Sequence, residues 1–148
     1  MAPLITFFLV TAAARLAGWL GWDYAASWPM AVAVGLAAMF VLTGVAHFVP
    51  PLRGGLIAIV PPKLPAPGLL VTITGLLELL GAIGLLLPAT RAAAAVCLAA
   101  LMVAMFPANI YAAGAKRSQH APDTPLAPRT LMQVLFVGGA VLVAVGSM

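Results

Sequence analysis

The sequence predicts an all-α protein built as a polytopic transmembrane helical bundle. Hydrophobic residues make up 64% of the chain and charged residues only 7%, a balance that no soluble single domain of this size tolerates on its surface. The apolar residues are gathered into runs of membrane-spanning length, and most prolines and cations fall between those runs. Twenty residues at about 1.5 Å rise give a helix of about 30 Å, the thickness of a bilayer's hydrocarbon core. The length suits a single membrane domain over residues 1–148.

The first run, 4–20, holds Arg15 and leads into Gly18, Trp19, Leu20, Gly21 and Trp22, where indoles suit the headgroup region. Residues 4–10 have the outline of a signal-peptide core, but no Lys or Arg precedes them. A retained marginal span or interfacial helix is therefore expected, with Arg15 reaching toward the nearer surface. The runs 29–49, 68–87, 92–112 and 130–146 are each long enough to cross. Pro29 stands where a helix can begin, and Pro50, Pro51 and Pro88 stand where helices should stop. Pro107 lies inside the fourth run, removes one backbone hydrogen bond and predicts a kink, which serves either a pocket or packing.

Between the second and third runs, residues 50–67 are too short to span and too apolar for a free loop. Gly54 and Gly55 precede the apolar residues 56–60, and Pro61, Pro62, Pro65 and Pro67 then forbid regular helix. This segment is expected to lie at the interface as a lid over the bundle's mouth. The connection 114–128, polar and carrying Pro122, Pro125 and Pro128, reads as a surface loop.

Cations fix the expected orientation. Arg53, Lys63, Lys116, Arg117 and Arg129 fall on one side, whereas the other has Arg91 and Arg15. The richer side is expected to be cytoplasmic, with the amino terminus inside if all five segments span. The net charge of +4 is thereby a topology signal, and no nucleic-acid partner is expected. Cys97 is the single cysteine, so an intrachain disulfide, a CxxC pair and a thiolate metal cage are excluded. No metal site is expected.

Glu78 sits near the middle of the third run, where burying a carboxyl costs about 2 to 4 kcal/mol. It is either a functional ionisable group or a protonated acid bonded to a neighbouring helix. Thr74 and Glu78 are one helical turn apart, as are Thr43 and His47 on the second run and Met105 and Asn109 on the fourth; Gln133 follows Arg129 by four residues. His47, Asn109 and Gln133 fall near the cytoplasmic ends of three helices, with Glu78 deeper by about 10 Å. Side chains lean toward their helix's amino terminus, so His47 and Asn109 point inward and Glu78 points back toward them, and given matching helix rotations these groups are expected to line one cavity.

Each residue also has a plainer role: His47 capping its helix end, Asn109 and Gln133 bridging helices. Together they would hold the polar head of a quinone or a membrane lipid, with apolar walls on its tail. Proton exchange between Glu78 and His47 suits quinone reduction, but no group here carries electrons, so a separate partner redox protein is expected. A bis-histidine haem would require His120, which lies in a loop. Gly75, Gly81, Ala82 and Gly84 let helices approach closely and are compatible with a homodimer.

The stretches Thr43-Gly44-Val45-Ala46-His47-Phe48-Val49-Pro50, Pro61-Pro62-Lys63-Leu64-Pro65, Gly75-Leu76-Leu77-Glu78-Leu79-Leu80-Gly81 and Phe106-Pro107-Ala108-Asn109, with Arg129 and Gln133, follow one another in a set order. In order and spacing this set resembles the DoxX family of small bacterial membrane proteins, with its GxxHF, PxxLP, GxxEhxG and FPAN signatures. The resemblance implies a four-helix membrane bundle in the bacterial inner membrane, to which residues 4–20 add an extra N-terminal helix. It also implies association with quinone-linked redox systems, as in the membrane subunit of thiosulfate:quinone oxidoreductase. Animal relatives resemble assembly chaperones, so a noncatalytic scaffold or chaperone is the alternative expectation. The expected binding residues are His47, Thr74, Glu78, Asn109, Arg129 and Gln133, with no catalytic residue assigned.

Overall fold

The computed structural model describes residues 1–114, 116–121 and 124–148; the expected loop position of Pro122 lies outside them. Six α-helices and no strand occur among the described residues: α1 (Ala2–Trp19), α2 (Trp28–Ala46), α3 (Pro50–Ala58), α4 (Pro67–Leu86), α5 (Arg91–Ala113) and α6 (Leu126–Val145). A single 3-10 turn, Asp23–Ala25, links α1 to α2. All but α3 are long and apolar enough to cross a membrane.

Proline sets the helix starts. It occupies the first or second position of α1, α2, α3 and α4, where its missing N–H would have had no intrahelical partner and its fixed φ favours entry. Pro50 and Pro51 therefore open α3 instead of merely closing α2, which ends at Ala46 rather than at 49. Pro128 likewise falls within the first turn of α6, which starts at Leu126 rather than at 130. The prolines at 61, 62 and 65 do keep the next stretch irregular up to Ala66, whose left-handed backbone (φ 48°) precedes the start of α4. The α5 helix continues through Pro107 to Ala113.

The helices α2, α4, α5 and α6 form a ring, each packed on its neighbours, with α1 laid against the outer side of α2. One fully buried large side chain comes from each member of the ring: Leu36, Leu85, Leu98 and Val143. The α1 contact runs through Phe7, Thr11 and Ala14, with Thr11 set against Gly35. The outward faces stay apolar, as at Ile73, Leu76, Leu80 and Ile83 on α4 and Leu131, Val134 and Val141 on α6. Such a surface is stable against hydrocarbon and unfavourable in water, the inverse of a soluble protein.

α3 is fastened across one end of this ring. Arg53 donates from Nη1 to the His47 carbonyl at 2.9 Å, and from Nη2 to the Gly68 carbonyl at 3.0 Å and Thr72 Oγ1 at 2.9 Å. A single guanidinium thus ties α3 to the end of α2 and the start of α4. On its other side Gly55 lies against the His120 backbone, and Ile59 is buried with Ala112 and Ala121.

The two adjacent glycines of α3 make opposite predictions. A Cβ at Gly54 meets open space, whereas one at Gly55 runs into the His120 carbonyl. Gly54→Ala should raise stability by up to about 1 kcal/mol through helix propensity. Gly55→Ala should lower it by about 1 to 3 kcal/mol, both read as thermal unfolding in detergent.

Candidate functional site

The site begins with a missing side chain. Gly75 of α4 lies so close to His47 that a Cβ there would strike the histidine side chain, and a Cβ at Gly44 of α2 would strike Leu79. Helices can approach to this degree only where small residues face one another. Glu78, one turn beyond Gly75, is then turned into the α2 surface and only 3% exposed.

Two groups of α2 meet its carboxyl. Thr43 Oγ1 lies 2.5 Å from Oε2, and His47 Nε2 lies 4.0 Å from Oε1. His47 stands level with Gly75, three residues from Glu78, so the two differ in depth by about 4.5 Å rather than by the expected value of about 10 Å. His47 Nδ1 is 2.8 Å from the Thr43 carbonyl. A carbonyl only accepts, so Nδ1 carries a proton, and Nε2, which faces Glu78, is a lone pair in the neutral ring and an N–H in the charged one.

The Thr43 hydroxyl has one proton and several acceptors, with the Met39 carbonyl at 3.2 Å and the Phe40 carbonyl at 3.4 Å besides the carboxyl. When Glu78 is ionised, Thr43 donates to it. When Glu78 is protonated, its own O–H donates to Thr43 and the hydroxyl turns to Met39. Rotation of one C–O bond therefore accommodates either charge state of the acid. About 1 Å of side-chain movement brings Oε1 within hydrogen-bond reach of Nε2. This arrangement can hold a proton on an acid beside a base that has room for it.

A second group lies between α5 and α6. Arg129, 7% exposed in the first turn of α6, donates from Nε to the Thr124 carbonyl at 2.6 Å and from Nη1 to Asn109 Oδ1 at 3.2 Å. Gln133 follows one turn later, with its Nε2 buried and without a hydrogen-bond partner. The structure therefore brings His47 to Glu78 and Asn109 to Arg129, each pair on its own pair of neighbouring helices.

Thr74 does not meet Glu78. Its hydroxyl lies 2.9 Å from the Leu70 carbonyl and 3.2 Å from that of Val71, a local bond within its own helix. Thr43 takes the place beside the carboxyl, and its spacing of one turn from His47 was the signal for it. Arg53 is legible in the sequence only as a loop cation, because two of its three partners are backbone carbonyls that the sequence does not mark. Among the described residues no cluster of three or more His, Cys, Asp or Glu suits a metal ion. Two apolar depressions, one on α6 along Leu126, Leu131 and Val134 and one between Ala99 of α5 and Ala140 of α6, have none of these polar residues in their walls.

A family model described as a domain of unknown function, DUF8561, matches residues 36–144. The match takes in both polar groups and leaves α1 outside. No curated protein and no solved structure matches the chain.

The Thr43 bond to Glu78 predicts an energetic coupling between α2 and α4. Thr43→Val should cost about 1 to 3 kcal/mol by leaving a buried carboxyl without its partner. The same change in a Glu78→Leu background should cost about 1 kcal/mol less. A double-mutant cycle on thermal unfolding in detergent measures the difference.

Proposed function

Because the chain belongs to the DUF8561 family, matched over most of its length, and that family is described without a function, we propose one from the site. The protein is an integral membrane subunit that binds the polar head of a quinone or similar amphipathic lipid and works with a separate redox protein. The observation that carries this reading is the buried Glu78 and His47 pair, an acid and a base 4.0 Å apart at the end of the bundle on which α3 lies. The resemblance of the Gly44–His47, Gly75–Glu78 and Phe106–Asn109 stretches to DoxX proteins points the same way.

In this reading Glu78 donates a hydrogen bond to a head-group oxygen, or releases its proton there. His47 Nε2 takes up or returns that proton, and Thr43 turns its hydroxyl to suit each charge state of the acid. Asn109, Arg129 and Gln133 orient the head from the α5 and α6 side. α3, held by Arg53, serves as the lid. Electrons come from the partner, since no side chain of this protein carries them. The cation-rich end faces the cytoplasm of a bacterial cell, with the amino terminus on that side.

A noncatalytic scaffold or assembly chaperone is the second reading. It is favoured by one observation: Glu78, His47, Asn109 and Arg129 all find hydrogen-bond partners inside the chain.

Mild-detergent extracts analysed by mass spectrometry distinguish the two. The ligand-binding reading expects the wild type to retain a quinone or other long-tailed molecule. Glu78→Gln and His47→Ala should each retain about ten-fold less, the loss of roughly one charge-assisted hydrogen bond. A wild type that carries no such molecule, and takes up none on titration with ubiquinone or menaquinone, would rule it out.

A further inference from the structure

The end of the bundle opposite His47 and Glu78 carries two cations whose charges no acid among the described residues answers. Arg15, in the last turns of α1, lies over the rings of Trp19 at 4.8 Å and Trp28 at 5.5 Å. Its Nε and Nη1 are buried without a hydrogen-bond partner. Arg91, the first residue of α5, is only 5% exposed. It donates from Nε to the Leu85 carbonyl at 2.9 Å, faces Met30 Sδ with Nη1 and lies 5.0 Å from the Tyr24 ring. Its Nη2 is buried and without a partner.

Asp23, the acid nearest to Arg15 in sequence, is exposed. Among the described residues no acid lies within ion-pair distance of either arginine. Indole faces attract a guanidinium but accept no hydrogen bond in its plane, so the Nε and Nη1 donors of Arg15 stay unanswered. An unmet buried donor on a charged group is costly, and more so beside hydrocarbon.

The depth of the site identifies what would answer it. Trp19 is 66% exposed, and Trp22 and Trp28 are exposed beside it; outward indoles at the ends of apolar helices lie at headgroup level. A planar guanidinium presents paired donors that match a phosphate in two-pronged fashion. The oxyanion supplied at this depth by a bilayer is the phosphodiester of a phospholipid.

We propose that Arg15, set between Trp19 and Trp28, binds the phosphate of an anionic phospholipid, with Arg91 supplying a second fixed positive charge at the same end of the bundle. Nothing in this assignment depends on the function proposed for Glu78 and His47. The lipid's tails lie along the apolar outer face of α1, where Phe8, Leu9 and Leu16 are exposed.

Native mass spectrometry of the full chain in detergent tests this with three probes: phosphatidylglycerol, diacylglycerol with the same tails, and inorganic phosphate. The wild type should bind phosphatidylglycerol about five-fold more tightly than diacylglycerol, and Arg15→Gln should erase that preference while Arg15→Lys keeps part of it. Equal binding of the two lipids by the wild type would overturn the proposal without recourse to any variant. So would a preference that survives intact in Arg15→Gln. Inorganic phosphate at millimolar concentration should leave the bound phospholipid in place. If it displaces the lipid fully, the ligand is a free oxyanion and the lipid assignment fails.

Discussion

A carboxyl placed in the middle of an apolar helix sets the terms for the rest of this structure. Glu78 cannot be left facing hydrocarbon, so α4 must present it to another helix, and that helix must offer a polar group at the right height. Thr43 and His47 of α2 meet both conditions. The rotation of α4 about its axis is thereby decided, and with it the faces that Gly75 and Ala82 present to the interior and Leu76, Leu80 and Ile83 to the outside.

Close approach makes that pairing geometrically available. A Cβ at position 75 would push the His47 side chain off α4 and move its Nε2 away from the carboxyl. The same end is fixed from outside by Arg53, which binds the His47 carbonyl and the first turn of α4 together. Small residues within and a guanidinium across the ends are separate devices, and both act on the relative position of α2 and α4.

The spans were legible because an apolar run of bilayer length has few alternative fates. Their ends were less so. Pro50, Pro51 and Pro128 carry the same local chemistry whether they close one helix or open the next, and a single sequence does not say which. Glu78 and His47 were found as candidates because an ionisable group in an apolar run stands out by cost alone. Thr74 was read as Glu78's neighbour because it lies one turn away on the same helix, yet its hydroxyl is satisfied by its own backbone and Thr43 comes from across the interface. Spacing along one helix gives the face; only packing gives the partner. The separation of the polar residues into an α2 and α4 group and an α5 and α6 group rests on helix rotations that no pattern in the chain encodes.

The acid is not needed to hold α2 against α4. Their contact already rests on Gly44, Gly75 and the side chains around them, and an apolar residue at position 78 would fill space there without any desolvation penalty. Polar pairs that only join helices contribute modestly in membranes, from about 0.6 to about 2 kcal/mol each. An ionisable side chain at this depth therefore brings a sizeable cost for a small structural return. A threonine would supply a hydrogen bond for less. What a threonine cannot supply is a proton that dissociates in the ordinary pH range, and the geometry around Glu78 is suited to that property: a hydroxyl that serves the acid in both charge states and an imidazole nitrogen facing its second oxygen. The arrangement can hold a proton and give it up, which is the step the proposed function assigns to it.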